Sequence, residues 1–263
     1  MDYSILVNTC DNYEKIWPIF FSMFHRFWPE YKDKIYLNTE TKTYSCNELE
    51  IIPCNCKESD ESRTWSSRLY HALEHIDTDL VLLILDDFIF EEKVNDLEFQ
   101  KTVKWMKNKP EIGMLQFNVG SDCGKLCSEN PRWREQNKKE EYRINCQIAL
   151  WRKDYLLKIL RKFETPWEFE RYGSIRSRRY KERVFAWATD SDYIFTYNWG
   201  KPIIGGKWNL DEIDRLEDKL NIKFDLSGRG GMRNYYENLK MKPKPKRNFY
   251  WVWKKIKHIR SLI

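Results

Sequence analysis

Two adjacent carboxylates, Asp86 and Asp87, are the residues of this sequence best placed to do chemistry. They follow six consecutive aliphatic residues, 80–85, in a chain that is 33% charged. Such a run is typical of a central parallel strand that is buried on both faces, and ligands of open α/β sheets bind beyond the carboxyl ends of the strands. Two carboxylates at an apolar rim repel each other unless a cation or hydrogen-bond donors compensate. A divalent ion that also binds a substrate diphosphate would do so. The alternative is that one Asp caps the next segment while the other is solvated.

The segments before this strand predict a β-α-β opening, the start of a doubly wound sheet. Residues 14–28 carry apolar side chains at helical spacing and stop at Pro29, and residues 62–76 show the same period. The predicted strands are residues 3–8, 34–38 and 50–53. Because the first strand and the strand at 80–85 both end in polar turns, we expect their ends to share one crevice.

The second half of the chain is less regular. We predict helices at 97–109, 155–163 and 210–220, and strands at 113–118, 147–151 and 203–204. Residues 120–145 are polar and predict a long loop, and residues 185–197 predict a helix followed by an extended segment. Glycines at 228–231 predict a hinge.

Length and cysteine usage limit the class of protein. The 263 residues suffice for one sizeable core plus a tail. Seven cysteines without paired C-x-x-C motifs argue against a disulfide framework and a structural zinc site, and they fit a reducing cytosol. The sequence enters a strand at once and has no long apolar run, so we expect neither a secretory leader nor a spanning segment.

The net charge of +6 is concentrated in the last 22 residues, which hold eight Lys or Arg and no acid. The rest of the chain is therefore near −2, which argues against nucleic acid as a partner. Residues 248–263 alternate aromatic and aliphatic side chains with basic ones, a composition suited to an anionic membrane surface. The alternative is that these aromatic side chains dock on the protein's own body.

Three pieces of the sequence together resemble GT-A type glycosyltransferases, the nucleotide-sugar-dependent enzymes with a Rossmann-like sheet. They are the opening strand and turn at 5–13, the helix and strand at 65–88, and the segment 147–170 with its acidic end Trp167-Glu168-Phe169-Glu170. The resemblance covers about residues 3–208. It implies a GT-A-like, mostly parallel central sheet flanked by helices in residues 1–241, followed by the basic, aromatic, helical tail 242–263.

The resemblance also implies roles at the donor site. Asp87 would hold Mn or Mg, and Asp86 would contact the ribose or a metal-bound water. Arg68 would bind the diphosphate, although a surface salt bridge with Asp60 or Glu61 is equally compatible with its position. The nucleobase would lie against the turn after the first strand, and its candidate contacts are Thr9, Asp11 and Tyr13. Stacking of Tyr13 on the base has hydrophobic packing as its alternative.

On the acceptor side, the resemblance implies a carboxylate that takes the proton of the acceptor hydroxyl. Glu168 and Glu170 are the candidates, and we prefer Glu168 because it lies beside Trp167 at the end of the preceding helix. The strict Asp-X-Asp of the family is missing at residue 86. The literal Asp190-Ser191-Asp192 occurs later, where we expect an N-cap or salt-bridge pair, with an acceptor-side or catalytic role as the alternative.

The sequence therefore predicts an inverting, metal-assisted glycosyltransferase of bacterial surface polysaccharide synthesis, such as capsule or lipopolysaccharide. Its expected donor is a UDP-sugar, and its expected acceptor is a glycan or a polyprenyl-diphosphate-linked saccharide. The basic stretch 171–183 would grip that diphosphate, or it is a solvated loop. We expect the protein in the cytoplasm, at the inner face of the plasma membrane. The alternatives are a sugar-phosphate nucleotidyltransferase and a non-catalytic membrane-peripheral carbohydrate-binding protein.

Overall fold

The computed structural model describes residues 2–55, 64–120, 124–198 and 201–235. The chain divides into two compact units, residues 1–197 and 198–263. The boundary that the sequence predicts between residues 241 and 242, and the basic tail that follows it, lie outside the described residues. Among the described residues, no helix is long and apolar enough to cross a bilayer.

A nine-stranded sheet forms the centre of the first unit, in the order β3-β2-β1-β4-β8-β5-β9-β7-β6. Its strands are β1 (Ser4–Asn8), β2 (Ile35–Asn38), β3 (Ile51–Pro53), β4 (Leu80–Leu85), β5 (Ile112–Val119), β6 (Lys125–Leu126), β7 (Trp133–Glu135), β8 (Ala149–Arg152) and β9 (Arg183–Trp187). Strands β3, β2, β1 and β4 are parallel to one another, and β8 runs antiparallel to both β4 and β5. The predicted mixed α/β fold with a mostly parallel sheet is confirmed.

Helices cover both faces of this sheet. They are α1 (Trp17–Phe27), α2 (Trp65–Glu74), α3 (Asp96–Lys107), α4 (Lys153–Ile159) and α5 (Pro166–Ser177). On one face α2, α4 and α5 bury a shared cluster that includes Leu69, Tyr155 and Phe169. On the other face, Trp28 after α1 meets Phe99 of α3 with ring centroids 5.2 Å apart. With both faces covered, β4 is buried from Leu80 to Ile84, as its aliphatic run predicts, and only Leu85 at its carboxyl end is partly buried.

The predicted loop at 120–145 is wrong in part, because β6 and β7 extend the sheet there. β7 pairs with β9 in antiparallel register, and Trp133 faces Trp187 across that pair. Trp133 is fully buried, and its ring packs edge-on against that of Trp187 at 5.1 Å. One large aromatic side chain thus anchors the short strand β7, and the polar residues around Trp133 concealed this strand in the sequence pattern.

The predicted helix at the start of 185–197 is also wrong, since residues 183–187 form the strand β9. β9 pairs with β5 in parallel and is buried on both faces from Val184 onward. Periodicity cannot separate a fully buried strand from a buried helical turn.

The acidic segment that we expected at the end of a helix instead begins one. Thr165 caps α5 by accepting a hydrogen bond from the Glu168 backbone N–H, and the Glu168 side chain accepts from the Thr165 backbone in return. Pro166 occupies the first helical position. The pattern Thr-Pro-x-Glu is a capping box with a helix-starting proline, so the sequence contained this signal.

The described part of the second unit contains a small sheet and one helix. The strands are β10 (Ile203–Ile204), β11 (Lys207–Asn209) and β12 (Gly231–Met232), and the helix is α6 (Leu210–Leu220). The predictions for residues 203–204 and 210–220 are confirmed. Trp208 is fully buried and donates its indole N–H to the carbonyl of Leu226 at 3.1 Å.

A buried ion pair joins α5 to the segment that leads into it, and it allows a test of the fold. The guanidinium of Arg176 donates to both carboxylate oxygens of Glu164, at 2.7 and 2.6 Å, and both side chains are almost fully buried. Arg176→Met leaves the carboxylate without its cation, so we expect the free energy of unfolding to fall by about 3–5 kcal/mol in urea denaturation. Arg178→Met, at the exposed end of the same helix, should change it by less than about 0.5 kcal/mol. Equal losses in the two variants would contradict the role of the buried pair.

Candidate functional site

The carboxyl ends of β1 and β4 are joined by a hydrogen-bonded group of three side chains. Asn8 and Leu85, the last residues of the two strands, are register partners, so Thr9 and Asp86 follow side by side. The Thr9 hydroxyl donates to Asp86 Oδ2. The indole N–H of Trp17, at the start of α1, lies 3.0 Å from both the Thr9 hydroxyl and Asp86 Oδ2. All three side chains are buried, and Asp86 therefore connects two strand ends and a helix.

Asp87 also lies at this carboxyl edge and is 6% exposed. The ring of the next residue, Phe88, packs against Tyr197 at 4.8 Å. Within the described residues, no group of three or more His, Cys, Asp or Glu side chains is placed to hold a metal ion. Two adjacent carboxylates still fit Mg²⁺ or Mn²⁺, because such ions are often held by one or two carboxylates together with substrate phosphates.

The turn after β1 is fastened to the turn after β2. The Asp11 carboxylate accepts hydrogen bonds from the backbone N–H groups of Glu40, Thr41 and Lys42 at 3.0–3.2 Å. Burial raises the pKa of Asp11, but these hydrogen bonds and that of the Thr41 hydroxyl outweigh it and leave the pKa below its usual value. Asp11 therefore shapes the rim of the crevice with its carboxylate.

Arg68 lies at the same edge, in the second turn of α2. Its guanidinium is 3.1 Å from Glu40 Oε1, and the side chain is 8% exposed. Arg68 thus pairs with Glu40, which follows β2, and the alternative partners Asp60 and Glu61 lie outside the described residues. A buried guanidinium beside two strand ends remains suited to a phosphate group.

The pKa of the Cys10 thiol depends on the charged groups around the crevice. Burial raises the pKa of its thiol to about 11, and the carboxylates of Asp86 and Glu40 raise it as well, while Arg68 acts in the opposite direction. Three elements thus bring these charged groups close to one thiol. Glu40, like Trp17, was missed in the sequence because it belongs to no recognisable motif.

The two predicted catalytic acids have different surroundings. Glu168 is half-buried and its Oε2 accepts from both the backbone N–H and the hydroxyl of Thr165 at 2.9 Å, so it is engaged in the cap of α5. Glu170 is also half-buried, and its Oε1 accepts from the backbone N–H of Cys146 at 2.8 Å. The capping role explains Glu168 without catalysis, whereas Glu170 is tied to the start of β8.

The register of the sheet brings Glu170 toward the Asp pair. Leu83 of β4 is opposite Ala149 of β8 in antiparallel pairing. The amino end of β8 therefore lies beside the carboxyl end of β4, and Cys146, the residue whose N–H binds Glu170, comes three residues before β8 begins. The Asp pair and the Glu170 carboxylate therefore belong to neighbouring strand ends at one edge of the sheet.

Other predicted site residues are less central. Tyr13 ends a short 3₁₀ turn, Asp11–Tyr13, and is half-buried. Asp190 and Asp192 lie in an exposed turn after β9, and Asp192 has a left-handed backbone with φ of 54°. Because β9 runs parallel to β5, and β5 has the direction of β4, this turn lies at the same carboxyl edge of the sheet, three strands away from β4.

Two open clefts lie at the opposite, amino edge of the sheet. One, of about 450 Å³, is lined by Tyr3 and Tyr31, and the other, of about 460 Å³, by Thr78 and Arg152. Both have acidic rims that include Asp2. They lack the Asp86–Asp87 pair and mark a useful comparison site on the same molecule.

Comparison with known proteins gives structural similarities only. No protein-family model matches the chain, and no curated protein matches it. A structure of S. aureus TarS in complex with UDP-GlcNAc shares 13% identity and a TM-score of 0.47, over 73% of this chain and 57% of that chain. The bifunctional IspDF from Campylobacter jejuni shares 14% identity and a TM-score of 0.40, over 75% and 52%. A CMP:2-keto-3-deoxy-manno-octonic acid synthetase complexed with CTP shares 8% and 0.43, over 84% and 99%. The chain thus spans less than two thirds of the length of the TarS and IspDF chains.

The thiol of Cys10 provides a test of how closely these charges are grouped. Glu40→Gln removes one of the carboxylates that raise the thiol pKa and releases Arg68, which lowers it, so the pKa of Cys10 should fall. We therefore expect iodoacetamide to alkylate Cys10 several times faster at pH 9, measured by mass spectrometry of its peptide, because the thiolate is the nucleophile. Glu14→Gln, which removes a carboxylate paired with Lys42, is the control. An unchanged rate of Cys10 alkylation in Glu40→Gln would refute the proximity of Glu40 and Arg68 to this thiol.

Proposed function

We propose that this protein transfers a sugar from a nucleotide-sugar donor to a saccharide acceptor. The observation that supports this most strongly is the meeting, at one sheet edge, of the Asp86–Asp87 pair, the Arg68 guanidinium and the Glu170 carboxylate. Transfer from a nucleoside diphosphate requires compensation of charge on the departing diphosphate and a base for the acceptor hydroxyl. This edge offers groups for both tasks.

In the proposed donor site, Asp87 would hold Mg²⁺ or Mn²⁺, and Asp86, through its bonds to Thr9 and Trp17, fixes the position of Asp87 at the sheet edge. When bound, the ion would neutralise charge on the diphosphate as a Lewis acid. Arg68 would add a fixed positive charge from α2, whose N-terminus lies at the same edge and favours anions as well. The nucleoside would lie along the turns after β1 and β2, near Thr9, Asp11 and Tyr13, with uridine as the first candidate.

We assign the general base to Glu170 rather than to Glu168. The hydrogen bond from the Cys146 N–H orients Glu170 at the amino end of β8, beside the carboxyl end of β4, whereas Glu168 takes part in the cap of α5. Glu168 stays the alternative, although proton transfer would compete with its two hydrogen bonds to Thr165. An acceptor hydroxyl that reaches Glu170 would lie one strand away from the donor at Asp87.

The proposed acceptor is a glycan or a polyprenyl-diphosphate-linked saccharide of a bacterial surface polysaccharide. The basic, aromatic segment 242–263 would hold the enzyme at the anionic inner face of the plasma membrane, where such acceptors are embedded. In a nucleotidyltransferase the same edge would bind a nucleoside triphosphate, so release of pyrophosphate from a triphosphate and a sugar phosphate would identify that function instead.

Nucleotide binding is the first prediction of this proposal. With UDP at about 100 times its Kd and Mn²⁺ present, the melting temperature should rise by about 5–10 °C, because ligand binding stabilises the folded state by about 2.7 kcal/mol. Asp87→Asn should remove the part of this rise that depends on Mn²⁺. Asp79→Asn is a matched control, because Asp79 is exposed just before the opposite end of β4. A nucleoside diphosphate panel with no shift for any base would refute the donor site.

The second prediction separates the two glutamates. Gln can still accept the Cys146 hydrogen bond but cannot take a proton, so Glu170→Gln should lower kcat for transfer by about 10²- to 10⁴-fold with little loss of stability. Glu168→Gln should leave kcat within about threefold and change the free energy of unfolding by less than about 0.5 kcal/mol, because Gln also completes a capping box. The reverse pattern would return the base role to Glu168, and a loss below tenfold in both would exclude either as base.

A further inference from the structure

A half-buried carboxamide, Gln147, lies at the same edge of the sheet as the Asp pair, and a neighbouring side chain determines its orientation. Gln147 comes two residues before β8, whose amino end lies beside the carboxyl end of β4 because the two strands are antiparallel. The hydroxyl of Tyr197 lies 3.0 Å from Gln147 Oε1. Gln147 is therefore held by the side chain of Tyr197, the last residue of the first unit.

The Tyr197 hydroxyl acts as a donor in this contact. Burial keeps its pKa well above the usual value, so the hydroxyl keeps its proton at any physiological pH, although a hydrogen bond with the Ile148 backbone acts in the opposite direction. A backbone group that lowers the pKa of a tyrosine must be an N–H donor, because only a donor stabilises the charged oxygen. The Ile148 group is therefore its N–H, and the Tyr197 proton remains available for Gln147 Oε1. The ring is supported by Phe88, which directly follows Asp87.

This contact settles which way the Gln147 amide faces. With Oε1 turned to the Tyr197 hydroxyl, the amide NH₂ group lies on the other side of the carboxamide, away from Tyr197. Two donor hydrogens are thus presented from the neighbouring strand end, one strand away from Asp87. An amide at the end of β5, Asn118, extends the row of carboxamides along the same edge, and its buried Oδ1 has no hydrogen-bond partner.

We propose that Gln147 recognises the transferred sugar by donating a hydrogen bond from its NH₂ group to an oxygen of a substituent on the sugar ring. Tyr197 is the residue that positions Gln147. This inference rests on the proposed function, because the diphosphate at Asp87 places the sugar along the edge toward β8. The substrate class that follows is a neutral hexose conjugate whose hydroxyl or acetamido oxygen faces Gln147. A deoxy sugar without that oxygen would leave the amide unpaired and bind less well.

The test compares a nucleotide with its sugar conjugate in the same variant. Isothermal titration with UDP, UDP-glucose, GDP and GDP-glucose in the presence of Mn²⁺ gives the ratio of conjugate to nucleotide affinity. Tyr197→Phe keeps the ring but lets the amide rotate, so the ratio should fall about three- to tenfold while the affinity for the nucleotide alone stays unchanged. Gln147→Leu should lower the ratio at least as much.

Tyr31→Phe is the matched control, because Tyr31 is a buried tyrosine whose hydroxyl donates to the carbonyl of Lys34 at 2.8 Å. It should lower stability without changing the ratio. A ratio that is unchanged in both Tyr197→Phe and Gln147→Leu, with nucleotide binding intact, would overturn this inference and leave the donor site standing. Absence of nucleotide binding in the wild-type protein would overturn the proposed function and this inference together.

Discussion

The site depends on one buried carboxylate, Asp86, which joins two strand ends to a helix. Its Oδ2 accepts hydrogen bonds from the Thr9 hydroxyl and the Trp17 indole N–H, and all three side chains are buried. A carboxylate in such surroundings is stable only with its donors in place, so the carboxyl ends of β1 and β4 and the start of α1 are held in one arrangement. Asp87, the next residue, is presented at the edge as a result.

Other charged groups around the crevice are also held in place by hydrogen bonds or ion pairs. Asp11 organises the turn after β2, Glu40 pairs with Arg68, and Glu170 binds the backbone N–H of Cys146, three residues before β8. Each group that could contact a substrate is also fixed by a neighbour, which favours a preorganised site. Glu168 differs, because its hydrogen bonds stabilise α5 and define where that helix begins.

The sequence predicted the core of this arrangement because hydrophobic period and strand order determine it. The run at 80–85, the amphipathic helices α1, α2, α3 and α6, and the position of the Asp pair after β4 all followed from local pattern. Where local pattern and tertiary packing disagree, the prediction failed. β7 depends on the burial of Trp133 against Trp187, and the polar residues around it concealed the strand.

The surroundings of the Asp pair were less accessible from sequence. Trp17 bonds to Asp86 and Glu40 pairs with Arg68, and these contacts between distant segments depend on the pairing of β1 with β2 and β4. The preference for Glu168 over Glu170 came from reading Thr165 as the end of a helix, although its capping box with Pro166 marked a beginning. The orientation of Gln147 required the position of Tyr197, fifty residues away in the chain.

The central claim is that the carboxyl edge of β1 and β4, rather than the acidic clefts at the amino edge, binds a metal–nucleoside diphosphate complex. Paramagnetic broadening of backbone amide signals by Mn²⁺ with UDP tests it directly, because the effect falls steeply with distance from the ion. We predict that the signals of Cys10, Asp87 and Cys146 broaden strongly while those of Tyr3 and Thr78 remain sharp. Broadening centred on Tyr3 and Thr78 instead, or no broadening at either edge, would contradict the account.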